Sequence, residues 1–481
     1  MRELTELCLS TAKKLGCTYA DIRIIKREHQ QVSLKSGNVE AISSSENLGF
    51  GVRVLKNGAW GFASSRVIAP QKIEEITAKA VEIAEASARV KEKDVELAPV
   101  DSVVVKVQAN CKIDPFTVPI EDKLNLLARV DDRLRSVKGV SVSRAFLTFF
   151  KEFRVFASTE GSLIEQEKIE SGGGMEAIAV GEGDFQIRSF PNSMGGNVAA
   201  SGYEFIPSLK LEENAERIAQ EAVVLLTAKP CPSGEMDIIL DSSQLGLQIH
   251  ESCGHPTELD RVLGTEASYA GTSFMTPDLL GKLQYGSRHV NIYADATCLG
   301  GLGTFAYDDE GAPARCVDLV KEGLFVGYLT SRETARALGI PNSACMRADG
   351  WGRMPIIRMT NINLKPGEAT LEEIIADTKK GLYLITNRSW SIDDKRLNFQ
   401  FGTEFAYEIK DGKLGAIVKN ATYTGMTPQF WNSCDAVANK DYWTLWGLTN
   451  CGKGQPSQVM HVGHGASPAR FRKVQVGVMK R

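Results

Sequence analysis

The stretch His250-Glu251-Ser252-Cys253-Gly254-His255 sets two histidines five residues apart, with a glutamate beside the first. Zinc hydrolases of the H-E-x-x-H type space their histidines four apart, so both lie on one helical face and the glutamate reaches the reacting water. At 3.6 residues per turn, positions i and i+5 point about 140° apart and cannot share an ion. A single π-turn, bonded i→i+5, returns them to one face. Gly254 gives the backbone freedom just before the second histidine. Pro256 lacks an N–H and resists a regular helical bond back to residue 252. The motif therefore predicts a helix that bulges or ends between Cys253 and Pro256, so that His250 and His255 converge.

The chain of 481 residues has room for two or three domains and a sizeable core. A net charge of -3 and the lack of any Lys/Arg block argue against nucleic-acid binding. The N-terminal stretch reads as a polar amphipathic helix without the apolar core of a signal peptide, and no run of about 18 apolar residues predicts a membrane span. A cytoplasmic protein is expected. Its ten cysteines form no C-x-x-C pair, so most are expected to be reduced, half-buried packing residues.

The fold class expected is α+β. Residues 18–28 and 30–37 alternate as half-buried strands, and 48–65 read as a hairpin turning at Asn57-Gly58. Helices are expected over 72–92, 122–137 and 211–230, with more strands in 140–169. The glycine-rich segment 171–183 reads as a flexible loop or lid. Pro230 and Pro232 place a boundary that separates an N-terminal domain (1–228, or two modules, 1–110 and 111–228) from a sheet-rich domain (229–481). The second domain carries the histidine helix, with an N-cap expected at Ser242 or Ser243.

A catalytic zinc usually takes a third protein ligand, and Cys451, His461, His464, Glu258 and Asp260 all compete for the place. Cys451 reads as part of a glycine-rich turn in which Lys453 favours a thiolate. Asp308, Asp309 and Glu310 form an acidic turn that reads either as a solvated loop or as an outer shell or amine handle. Arg358, ending a strand, could pin a peptide carboxylate or bridge two loops.

The ordered segments "HESCGHPTE", "FAYDDEGAPA", "YLTSRETARALG", "RADGWGRMPIIRMTN" and "NCGKGQP" resemble the TldD/PmbA family of peptidases, and the likeness covers nearly the whole chain. The presence of HExxxH resembles the catalytic TldD type, not the TldE/PmbA-type companion. The resemblance implies a zinc metallopeptidase with His250, His255 and Cys451 as ligands and Glu251 as general base. It also implies peptide substrates, short or unfolded, and a dimer with itself or with a TldE/PmbA-type paralogue. An extended peptide could dock on the sheet-rich half as an added strand. The rival expectations are a peptide-binding companion subunit and a zinc hydrolase of non-peptide amides.

Overall fold

The computed structural model describes residues 1–193 and 195–477. The chain is α+β throughout. Two alternating segments that read as separate strands are one, Tyr19–Lys35, which turns at Ser36-Gly37 into Asn38–Lys56. The Asn57-Gly58 hairpin forms as expected, both residues having positive φ. Strands Val140–Ser158 and Leu163–Gly181 complete the frame, and Tyr19–Lys35 pairs with Val140–Ser158 from Asp21↔Ser158 to Lys35↔Arg144. The elements before and after residue 110 thus share one eight-stranded sheet.

Helices Arg2–Lys14 and Pro70–Ser87 bury their apolar faces against one end of this sheet. Helices Ile120–Ser136 and Leu211–Thr227 do the same at the other end. The strand Tyr19–Lys35 is buried at both ends but only half-buried over its middle six residues. Between the two helix pairs the sheet instead faces the second half of the chain.

The segment 171–183 is not a loop. Gly172, Gly173 and Gly174 lie in the strand Leu163–Gly181, where a Cβ on Gly173 would meet the Phe146 carbonyl at 2.4 Å and one on Gly172 the Asn197 carbonyl at 2.4 Å. Close backbone approach, not flexibility, accounts for them.

From Lys229 on, the chain builds a second eight-stranded sheet. The strands Gly234–Leu240, Ala469–Val476, Thr422–Met426, Asn398–Lys410 and Lys380–Ile392 pair in that order, and the last pairs back with the first, closing a ring. A separate two-stranded ribbon, Thr444–Lys453 with Gln458–Ala466, carries Cys451 and the last two histidines. Among the described residues no helix is long and apolar enough to cross a membrane.

The acidic turn is neither solvated nor a handle. Asp308, Asp309 and Glu310 are all buried. Glu310 pairs with Arg53 at 3.2 Å and accepts the Arg332 amide, while Asp309 takes Arg154 at 2.5 Å and Arg23 at 3.7 Å. Burial, and then the charge of Glu310, hold the Asp308 carboxyl well above the usual range. Arg53 also grips Asp21 with two donors at 2.7 and 2.9 Å, so these arginines rivet the first sheet to the second half of the chain. Removing one member of such a buried set strands the others. Arg53→Met should cost about 3–5 kcal/mol in urea unfolding, whereas Arg2→Met, which breaks an exposed pair, should cost less than about 1 kcal/mol.

Candidate metal centre

The helix Ser242–Ile249 starts on Asp241, not on either serine. The Asp241 carboxylate accepts the Ser243 amide at 2.8 Å and its hydroxyl at 2.5 Å. The helix then widens. A π-helical turn spans His250–Gly254, and the His255 amide donates to the His250 carbonyl, the i→i+5 bond that the spacing requires. A 3-10 turn over His255–Thr257, with Pro256 in it, ends the segment.

The irregular turn is buried, so its backbone oxygens need partners. Tyr285 donates to the Ser252 carbonyl at 3.0 Å, and the Thr257 hydroxyl lies 2.8 and 3.0 Å from the Cys253 and Gly254 carbonyls. Trp431 fixes the Ser252 hydroxyl at 2.9 Å. Gly254 has an ordinary helical φ of -58°, so its backbone freedom is not what the turn uses. A Cβ there would meet Met359 Sδ at 2.2 Å, and it is this close packing that calls for glycine.

Cys451 is not in a turn but within a strand, opposite Met460. Its sulfur lies 3.6 Å from His250 Nε2 and 3.9 Å from His255 Nε2, and the three donor atoms all lie within 4.8 Å of one another. The two imidazoles stand perpendicular, with centroids 4.8 Å apart. A tetrahedral zinc with sulfur at about 2.3 Å and nitrogen at about 2.1 Å sets those atoms about 3.5 Å apart. The donor types suit such an ion, and the two sulfur–nitrogen distances lie within a few tenths of an ångström of that spacing.

The remaining nitrogens are engaged behind the cluster. His255 Nδ1 lies 2.8 Å from Glu258 Oε2, and His250 Nδ1 lies 2.8 Å from His464 Nε2. Hydrogen bonds from Nδ1 leave each Nε2 lone pair turned toward the sulfur, the arrangement that orients histidine ligands. Glu258 and His464 therefore stand behind the histidines. Asp260 is taken by Lys453 at 2.6 Å. His461 points elsewhere, to Glu170 at 2.5 Å.

Burial opposes ionisation of Cys451, but His250, Arg358 and His255 outweigh it and hold the thiol well below its ordinary value. The neighbouring cation is Arg358, whose Nη2 lies 3.1 Å from the sulfur and 2.6 Å from the Cys451 carbonyl. It is not Lys453, which turns to Asp260 and Glu258, and Arg358, fully buried, does not stand free to pin a substrate. Burial lowers His255, whereas the Cys451 charge overcomes burial at His250 and raises it.

Glu251 is held by Arg396, from the tip of the hairpin joining Lys380–Ile392 to Asn398–Lys410. Arg396 has φ +64°, and the turn is fixed by Asp393, which accepts the Leu397 amide at 2.7 Å. The sequence shows there only a charged turn, and nothing local to it points at the cluster.

The buried His-His-Cys group is a donor set that could hold a metal ion, and the family profiles that match the chain are those of a metallopeptidase. Profiles of the PmbA/TldA metallopeptidase match as domain 1 over 20–84, as the central domain over 113–228 and as the C-terminal domain over 233–478. The chain belongs to the PmbA/TldD metallopeptidase family. A metalloprotease of Methanocaldococcus jannaschii is 34% identical over 94% of this chain and 95% of its own length. A zinc metalloprotease TldD homolog of Saccharolobus solfataricus is 23% identical over 98% of both. The crystal structure of TldE from Thermococcus kodakarensis matches with a TM-score of 0.74 at 16% identity, over 99% of this chain and 100% of that one. A Thermotoga maritima protein described as a modulator of a DNA gyrase matches with 0.79 at 18%, over 99% and 100%. These two likenesses establish the shared fold.

Partners behind metal-binding histidines commonly set affinity within a factor of 10–100. Glu258→Gln and His464→Ala should each weaken binding of a divalent metal by about 10- to 100-fold, measured by competition with a chelator, while the melting temperature in excess metal stays near that of the wild type.

Proposed function

We propose that this metallopeptidase is zinc-dependent and hydrolyses peptide bonds in short or unfolded peptides, with His250, His255 and Cys451 as ligands and Glu251 as general base. The observation that carries this reading is the convergence of three buried donors across an i→i+5 turn, with a carboxylate next to the first. Zinc bound there would polarise a carbonyl and bring a water's pKa to about 7.

Glu251 takes a proton from the attacking water and passes it to the leaving amine. Arg396 acts as a positioning residue that fixes the direction of the Glu251 carboxylate. Glu258 and His464 keep the two imidazoles in the tautomer that leaves Nε2 free. Arg358 shares the charge of the Cys451 thiolate.

The chemistry belongs to residues 229–481, and residues 1–228 form the N-terminal domain against which it packs. We place the enzyme in the cytoplasm as a dimer, either with itself or with a TldE/PmbA-type paralogue. The fold shared with TldE supports a partner of the same architecture.

Glu251→Gln keeps the shape of the side chain but removes the base. Metal content and melting temperature should be unchanged, and cleavage of a mixed peptide library, read by mass spectrometry, should fall at least about 100-fold. Cleavage at the wild-type rate would remove Glu251 from the mechanism.

A further inference from the structure

The middle of the first sheet, bare of helices, walls a cavity of about 340 Å³. The facing wall includes Phe305, Arg347, Asp349 and part of the strand Gln458–Ala466. Met460 of that strand is the register partner of Cys451, so the cavity and the metal centre share one ribbon.

The charges in this cavity are satisfied with one exception. Glu152 sits between Arg27 at 2.5 Å and Arg154 at 2.6 Å. Glu170 sits between Lys168 at 2.6 Å and His461 at 2.5 Å. Asp349 takes Arg27 at 3.1 Å and the Val459 amide at 2.9 Å. Glu28 and Lys151 pair with residues outside the cavity wall.

Arg347 is only 4% exposed and has no ion pair among the described residues. Its Nη1 donates to the His461 carbonyl at 2.9 Å and its Nη2 to the Met359 carbonyl, while its buried Nε has no partner among the described residues. A buried cation without a counter-ion is costly, and an anion relieves it. Burial, and then the nearby charge of Arg358, draw Arg347 down to about 10, in keeping with that cost.

The surfaces beside Arg347 are aromatic. Its guanidinium lies 5.7 Å from the Phe305 ring centroid. Phe150 stacks on His29 at 4.3 Å and meets His461 edge-on at 4.7 Å. A second cavity of about 520 Å³ shares Phe305, Arg154 and Lys168 with the first, which gives room for an extended body.

We propose that this cavity binds a carboxylate carried on an apolar or aromatic body, with Arg347 as its anchor and Phe150 and Phe305 as its walls. Two sources supply such a group, the C-terminal residue of a peptide and a free N-acylated amino acid. Binding there needs neither the metal nor Glu251.

Isothermal titration of the full-length wild type with N-acetyl-L-phenylalanine and with its amide tests this directly. The acid should bind at least about tenfold more tightly than the amide, since only the acid answers a buried guanidinium. The preference should persist after the metal is stripped by chelation, and Arg347→Leu should abolish it. Should Arg347→Leu fail to fold, Phe305→Ala, which removes one wall, should weaken both ligands by a similar factor. Binding of the peptide Ala-Ala-Ala-Phe as tightly as the small acid would identify a peptide end as the ligand, and binding of the small acid alone would identify a free amino-acid derivative. Equal affinity for acid and amide, no binding of the acid at about 10 mM, or loss of the preference on stripping the metal would overturn the assignment.

Discussion

A helix that must bring residues 250 and 255 together cannot stay regular, and much of the second half of the chain is arranged around that one widened turn. The π-turn frees carbonyls that a regular helix would satisfy, and in a buried position each needs a donor from elsewhere. Tyr285 and Thr257 supply them, and Trp431 fixes the Ser252 hydroxyl beside them. Each of these side chains is buried, and Tyr285 and Trp431 belong to the largest apolar cluster of the molecule. The site's geometry is thereby made part of the core's packing, which is how a locally unfavourable backbone is held in place.

The electrostatics follow the same logic. A buried thiolate is expensive alone, and here two imidazoles and Arg358 surround it. The imidazoles are in turn tied to His464 and Glu258, so the ring nitrogens that face the sulfur are set by groups one layer back. On the outer side Arg396 arrives from a hairpin tip and takes Glu251. Farther away, the buried arginines of the first sheet hold Asp21, Asp309 and Glu310 and lock the two halves together. The cavity lined by Arg347 lies along this seam, sharing Arg154 with the lock.

What could be read from the sequence was local. The widened turn followed from a spacing of five and a proline, and the Asn57-Gly58 hairpin from its dipeptide. The helices announced themselves by periodicity, to within a few residues. What could not be read depended on contacts far apart in the chain. The segment 171–183 looks flexible because glycine is ambiguous, and only the strands beside it show that the glycines make room for neighbouring backbone. Asp309 and Glu310 look solvated because the guanidinium groups of Arg154 and Arg53 that pair with them lie more than 100 residues away in sequence. Lys453 is nearer to Cys451 in sequence than Arg358, yet Arg358 is the one in contact, because the hairpin Met346–Arg347 with Ile356–Ile357 delivers it.

We propose that His250, His255 and Cys451 hold one metal ion between them. Elemental analysis of the purified protein beside His255→Ala and Cys451→Ala tests it most directly. About one zinc per chain is expected in the wild type, with most of it lost in both variants. Full metal occupancy in Cys451→Ala, or a wild type that takes up no zinc even when it is supplied, would contradict it.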